Sequence, residues 1–206
     1  MSELKMQRLL CILLVGITGC STTRTTTSWL AEPLRNKSYS EILVAVVLPV
    51  QDSVARNEIE KSLQEQLLTM GYRSRGAGRA YGTDGLAGPG AQSKYITLCK
   101  DGFDAVLVVA PVSDKPSGEK IAEQSMYDSY YIDRASRFRE AVNKSDFQNS
   151  GFHWEAVFID LGFLRTIGVV RTATFPPTGD WEPATYQTGK LISRMKKEKI
   201  FSSQNQ

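Results

Sequence analysis

His153 is the only histidine in the chain, so any Ser-His-Asp relay or histidine-based metal site must be built on it. It opens a predicted strand between Phe152 and Trp154, where a packing or strand-edge histidine is the expectation. Cys99 ends the apolar-spaced stretch Tyr95-Ile96-Thr97-Leu98-Cys99 and reads as a small buried core residue rather than a reactive thiol. One imidazole and one thiol would need carboxylates to complete a zinc site. Carboxylates alone can do acid–base chemistry when two face each other about 5–9 Å apart across a cleft. Asp104, Glu155 and Asp160 are the nearest candidates, but no spacing in the sequence brings two of them together. Asp160 suits a turn, and Asp104 the flank of a strand. The sequence therefore assigns no catalytic residue, no metal and no cofactor. A carboxylate-dependent hydrolase stays an alternative, and the expectation is a protein that is not an enzyme.

The segment Arg73-Ser74-Arg75-Gly76-Ala77-Gly78-Arg79-Ala80-Tyr81-Gly82 invites a phosphate-loop reading. Its glycine spacing misses the dinucleotide pattern by one residue, and no Gly-Lys-Ser/Thr is present. It also follows a helix, whereas a phosphate loop must run from a strand into a helix N-terminus. A mobile surface loop through Gly90, with six glycines from 76 to 90, is the expectation. Arg73, Arg75 and Arg79 are candidates for contact with an anionic partner such as lipid head groups or peptidoglycan carboxylates. Tyr127, Tyr130, Tyr131 and Phe138 are the candidate protein-contact residues, because tyrosine buries area while keeping a polar tip. A helix that packs its aromatics on a sheet would show the same spacing.

Cys20 points to chemistry of another kind. It closes Ile17-Thr18-Gly19-Cys20, directly after the apolar run from Leu9 to Ile17, with Lys5 and Arg8 ahead of it. That order resembles a bacterial lipoprotein signal peptide and its lipobox. The apolar run falls well short of the roughly 20 residues that span a bilayer. The resemblance implies cleavage between Gly19 and Cys20, then a diacylglycerol on the Cys20 sulfur and an acyl chain, such as palmitate, on its amine. Several chains anchor far better than one, since each buried methylene adds about 0.8 kcal/mol. Ser21 in place of aspartate favours the outer membrane, with the protein facing the periplasm.

Removing residues 1–19 takes Lys5, Arg8 and Glu3 from the 25 basic and 22 acidic residues, leaving 23 against 21 over 187 residues. A balance so near neutral gives no case for nucleic-acid binding. The length suits one domain with a real core. Cys11 leaves with the signal and Cys20 is lipidated, so Cys99 is the one free thiol and no disulfide framework exists.

The elements that must position these residues are legible in part. Residues 21–28 are polar throughout and read, with Cys20 and the stretch up to 38, as a tether. Ile42 to Leu48 is continuously apolar and predicts a strand covered on both faces. Asp52 or Ser53 can cap the helix that follows, where Ala55, Ile59, Leu63, Leu67 and Met70 form one face and Gly71 the stop. Asp104 to Ala110 is a second buried strand ended by Pro111, preceded by a short helix over 92–100 that Gly102 closes. Tyr127, Tyr131, Ala135, Phe138 and Val142 predict an amphipathic helix. Phe152–Ile159 and Leu164–Phe175 flank Asp160-Leu161-Gly162 as an antiparallel hairpin. Leu191, Ile192 and Met195 predict a final short helix with Lys196, Lys197 and Lys199 at its C-terminal end. The expected fold is α/β: a single two-layer domain over 39–200, with a β-α-β start, a mixed sheet of about four to five strands, helices packed on it, and a disordered tail over 201–206.

Ser28-Trp29, the strand 42–48, Arg56 and Glu60, Leu67 with Gly71-Tyr72, and Gly102-Phe103-Asp104-Ala105-Val106-Leu107-Val108 together resemble a family of uncharacterised bacterial outer-membrane lipoproteins with a small α/β domain. More remotely, the organisation is similar to lipoprotein domains that activate penicillin-binding proteins or build curli-type secretion pores. The resemblance implies a lipid-anchored, periplasm-facing binding or scaffold domain of the cell envelope, with no catalytic residue carried over. An accessory subunit of a secretion assembly or of a peptidoglycan synthase is the alternative. Its partner would be an envelope protein, and homo-oligomer formation is open.

Overall fold

The computed structural model describes residues 26–30, 37–48, 52–82, 91–113, 152–163, 165–173 and 182–201. Among them the strands are β1 (Thr26–Leu30), β2 (Glu41–Val46), β3 (Arg73–Gly76), β4 (Ala105–Ser113), β5 (Phe152–Asp160) and β6 (Arg165–Arg171). The helices are α1 (Ser53–Thr69), α2 (Ala77–Tyr81), α3 (Ala91–Lys100) and α4 (Glu182–Lys197). The strands form one mixed sheet in the order β1-β6-β5-β4-β2-β3. β2 is parallel to β3 and to β4, and every other pairing is antiparallel. The α/β class, the mixed sheet and the β-α-β start are as expected.

The sheet has six strands where four to five were expected, because two segments join it that carry no strand signal of their own. Thr26–Leu30, which overlaps the polar tether, pairs along the outer edge of β6. Arg73–Gly76, from the expected glycine loop, pairs along β2. Both are edge strands, and main-chain pairing alone satisfies their inner side.

β2 is buried on both faces, as its unbroken apolar run requires. Ile42, Val44 and Val46 pack beneath Ile59, Leu63 and Leu67 of α1 and Leu191, Ile192 and Met195 of α4. Leu43 and Ala45 point the other way, into a smaller cluster with Ala77 of α2, Leu98 of α3, Phe103 and Val106. α4 is a 16-residue helix, longer than expected, because Pro183 sits in its first turn, where a missing N–H breaks no helical bond. Gly189 lets α4 close on α1: a Cβ there would lie 2.8 Å from the Gln66 side chain.

Three helices stop in the same way. After α1, Gly71 takes φ 89°, its N–H donates to Leu68 O, and Tyr72 N–H donates to Leu67 O. After α3, Gly102 takes φ 84°, and Phe103 N–H donates to Leu98 O. After α4 the left-handed residue is Lys199, φ 57°, and Ile200 N–H donates to Met195 O. Each turn drops an apolar residue (Tyr72, Phe103 or Ile200) into the core, as this type of helix stop favours. Phe201 follows Ile200 inward and packs 5.0 Å from Phe158 and 5.5 Å from Tyr72 between ring centroids. Residue 201, assigned to the tail, therefore belongs to the fold.

Two further expectations are corrected. β4 continues through Pro111 to Ser113. Its pairing with β2 ends at Val109, so among the described residues one side of β4 has no strand neighbour beyond that point, and a residue without N–H is tolerated. Cys99 is exposed rather than buried. Leu98 takes the inward position on α3, and one residue further the helix has turned about 100° away. No helix of the described residues is long and apolar enough to cross a membrane.

Candidate functional site

Polar chemistry gathers at the rim of the sheet where the parallel strands begin. Register sets it there: Asp160, the last residue of β5, lies opposite Ala105 of β4, which lies opposite Ile42 of β2. The segment leading into β2 crosses this rim and is held by two carboxylates. Asp104 accepts from Ser40 N–H at 2.7 Å, Ser40 Oγ at 2.8 Å and Glu41 N–H at 3.2 Å. Asp160 is wholly buried and accepts from Lys37 Nζ at 2.7 Å on one oxygen and 2.6 Å on the other. It also accepts from Tyr39 Oη at 3.0 Å and from the Phe163 N–H at 3.0 Å. Burial and then the Asp160 charge push the Tyr39 phenol far above its ordinary range, so it stays a donor. Phe163, in the hairpin turn, is 65% exposed and carries Lys37 Nζ over its ring at 4.8 Å.

Asp160 is thus the turn former that the sequence suggested, and Asp104 the strand flank. The rim does bring them close, which the sequence did not show. Each spends its oxygens on its own chain. Glu155, 2% exposed on its side chain, is likewise committed, at 2.5 Å from Arg171 Nε. His153 is a packing histidine: it is buried in β5, opposite Val112, in an interior strand rather than at an edge.

The expected glycine loop is ordered structure through Gly82. Arg73 lies 3.6 Å from Glu41, and Arg75 3.0 Å from it. Arg75 also donates to Asp101 O and stacks 4.0 Å from the Phe103 ring centroid. Arg79 is exposed on α2. Gly19, Cys20, Tyr127, Tyr130, Tyr131, Phe138 and the 127–142 helix lie outside the described residues.

A second polar site went unread in the sequence. Arg56 and Glu60 face inward from α1, 5% and 3% exposed. Glu60 accepts from Val46 N–H at 3.3 Å, at the end of β2, and from Gly78 N–H at 3.1 Å. Glycines allow this approach. A Cβ on Gly76 would lie 2.6 Å from Glu60 Oε2, and one on Gly78 would lie 2.8 Å from Asn57 Oδ1. Two glycines beside a helix with paired charges four apart were the signal available. Burial raises the pKa of Glu60 above its ordinary 4.5, against the pull of Val46 N–H, Gly78 N–H and the Arg56 charge. The folded chain therefore holds this proton to higher pH than the unfolded chain does. Its contribution to stability declines as pH rises from the ordinary glutamate range through the folded value. A Glu60→Gln variant, which keeps an acceptor and loses the charge, should gain on the parent across that window. Urea midpoints of both proteins at stepped pH measure the trend, and parallel curves would remove the argument.

These features define an α/β domain with helices on a mixed sheet, whose polar clusters bind its own segments together. No protein-family model matches the chain, and no curated protein matches it. Among solved structures it is similar to a variant of PelC, a dodecamer from Paraburkholderia phytofirmans in space group C2, with TM-score 0.41 and 11% identity over 89% of this chain and 99% of that one. It is similar to the PelC dodecamer from the same organism in space group P6, with TM-score 0.40 and 14% identity over 84% and 94%. Lipoprotein GNA1162 from Neisseria meningitidis has TM-score 0.35 and 13% identity over 77% and 96%.

Proposed function

We propose that the protein is a lipid-anchored domain of the bacterial envelope that faces the periplasm and works by contact, as a binding or scaffold module, and without catalysis. The observation that carries this reading is Ile17-Thr18-Gly19-Cys20 at the end of a short apolar run with basic residues before it. The candidate carboxylates support the non-catalytic part, because Asp104, Asp160 and Glu155 are each engaged within the fold. Ser21 supports the outer membrane as the destination.

Replacing Cys20 with serine should move the protein from the membrane fraction to the soluble fraction and remove the acyl mass seen on the parent. An intact mass with a free thiol at Cys20 in the parent would end the proposal. An accessory role in a larger envelope machine is separated from a stand-alone scaffold by cross-linking in intact cells and by the oligomeric state of the extracted protein.

A further inference from the structure

We infer that the rim where the parallel strands begin is a docking face for a bilayer that carries anionic phosphate head groups. Three helices end there. α1 leads through Tyr72 into β3, α3 leads through Phe103 into β4, and α4 leads into Phe201, which packs on Phe158 and Tyr72. Cations come to this rim from each of its elements. Lys37 precedes β2, Arg73 and Arg75 lie in β3, and Arg165 opens β6. Lys100 ends α3, and the end of α4 adds Arg194, Lys196, Lys197 and Lys199. The anions at the rim are Glu41, Asp101, Asp104, Asp160 and Glu198. Nine against five leaves four cations in excess, whereas the rest of the chain holds 16 basic and 17 acidic residues. Residues 31–36 and 202–206, which adjoin the rim in sequence, add one Glu and one Arg between them.

The fold itself does not use up this excess. A helix C-terminus is equivalent to about half a negative charge, so three of them offset about 1.5 of the four. The anions are already engaged: Asp160 is buried against Lys37, Asp104 holds Ser40, Asp101 accepts from Tyr81 Oη, and Glu198 pairs with Arg194. Lys100, Arg165, Lys196, Lys197 and Lys199 stand exposed. Arg165 and Arg73 lie on β6 and β3, four strand spacings or about 19 Å apart. Lys100 is on the α3 side of the sheet, and the α4 lysines are on the other side. A field that spreads both along and across the sheet matches a charged plane, whereas a single polymer chain would need a track. Apolar side chains stand among these cations: Phe163 in the hairpin turn is 65% exposed, and Leu68 in the last turn of α1 is 66% exposed. Lysines around apolar tips suit a surface that settles into anionic head groups. None of this depends on acyl chains at Cys20.

The full-length chain with Cys11→Ser, Cys20→Ser and Cys99→Ser has no cysteine to acylate, and Phe163→Cys then gives it one thiol. An apolar, environment-sensitive fluorophore on that thiol takes the place of the ring. Titration with phosphatidylglycerol-rich vesicles should shift its emission to the blue, with an affinity at least about tenfold above that for phosphatidylcholine vesicles. Salt at about 1 M, where the Debye length is about 3 Å, should reverse the shift. Lys196→Glu, Lys197→Glu and Lys199→Glu together should lower the affinity for the anionic vesicles at least about tenfold. Lys100→Glu with Arg165→Glu, on other elements, repeats the test should the first variant fail to fold. The apolar run before Cys20 stays in every variant, so differences among them report the rim. Equal responses to the two vesicle types, or charge reversals without effect in folded protein, overturn the docking face. A blue shift with soluble polygalacturonate and none with vesicles overturns the bilayer as its partner.

Discussion

Replacing Asp160 with alanine should lower stability by about 3–5 kcal/mol, the usual cost of removing one member of a buried charged cluster. Three groups lose their acceptor at once: Lys37 Nζ, Tyr39 Oη and the Phe163 N–H. Lys37 is 26% exposed and can turn to water, so its share is the smallest. Tyr39 is buried and cannot, so the loss of its 3.0 Å bond to Asp160 is not made good by water. For a chain of this length, that loss amounts to a fall in Tm of roughly 10 °C. Asp160→Asn keeps an oxygen for Tyr39 and Phe163 and should cost about half as much. Urea unfolding of the three proteins gives the comparison. If alanine costs under about 1 kcal/mol, the Lys37–Asp160–Tyr39 contact does not hold the rim in solution.

The second large effect lies at the C-terminal end of the fold. Ending the chain after Lys199 removes Ile200 and Phe201, both 5% exposed. Burial of each contributes about 1.5–3 kcal/mol, so their joint loss is about 3–6 kcal/mol. That is a large fraction of the roughly 5–15 kcal/mol that holds a domain together. The gap would also open beside Tyr72 and Phe158, whose rings Phe201 touches. The shortened protein is expected to melt far earlier or to precipitate during purification. Ending the chain after Phe201 keeps both side chains and should retain the stability that they contribute. A similar Tm for the two truncations would show that Phe201 is not a core residue.

What the sequence disclosed follows from how local each signal is. The apolar run of β2, the periodic face of α1, the glycine stops at Gly71 and Gly102 and the hairpin around Asp160 all lie within a few residues of their own cause. Their positions in the structure match within a turn. The misses involve partners far away in the chain. Thr26–Leu30 is strand only because β6 offers it an open edge, about 140 residues later. Lys37 and Tyr39 meet Asp160 across more than 120 positions. Arg56 and Glu60 sit on a helix where charges usually mark the wet side, and only the missing side chains of Gly76 and Gly78 reveal the opposite. Cys99 failed for a smaller reason, since one step along a helix separates an inside position from an outside one.

The arginines of β3 have a consequence for how the molecule behaves in a crowd. Open sheet borders invite a second sheet to zip on, and proteins blunt them with brevity and charge. β3 offers four residues, and Arg73 and Arg75 stay exposed while resting on Glu41. A copy arriving at this border meets like charge and too little ladder to hold it. Even when crowded, such molecules can stay dense without growing into fibres along that side.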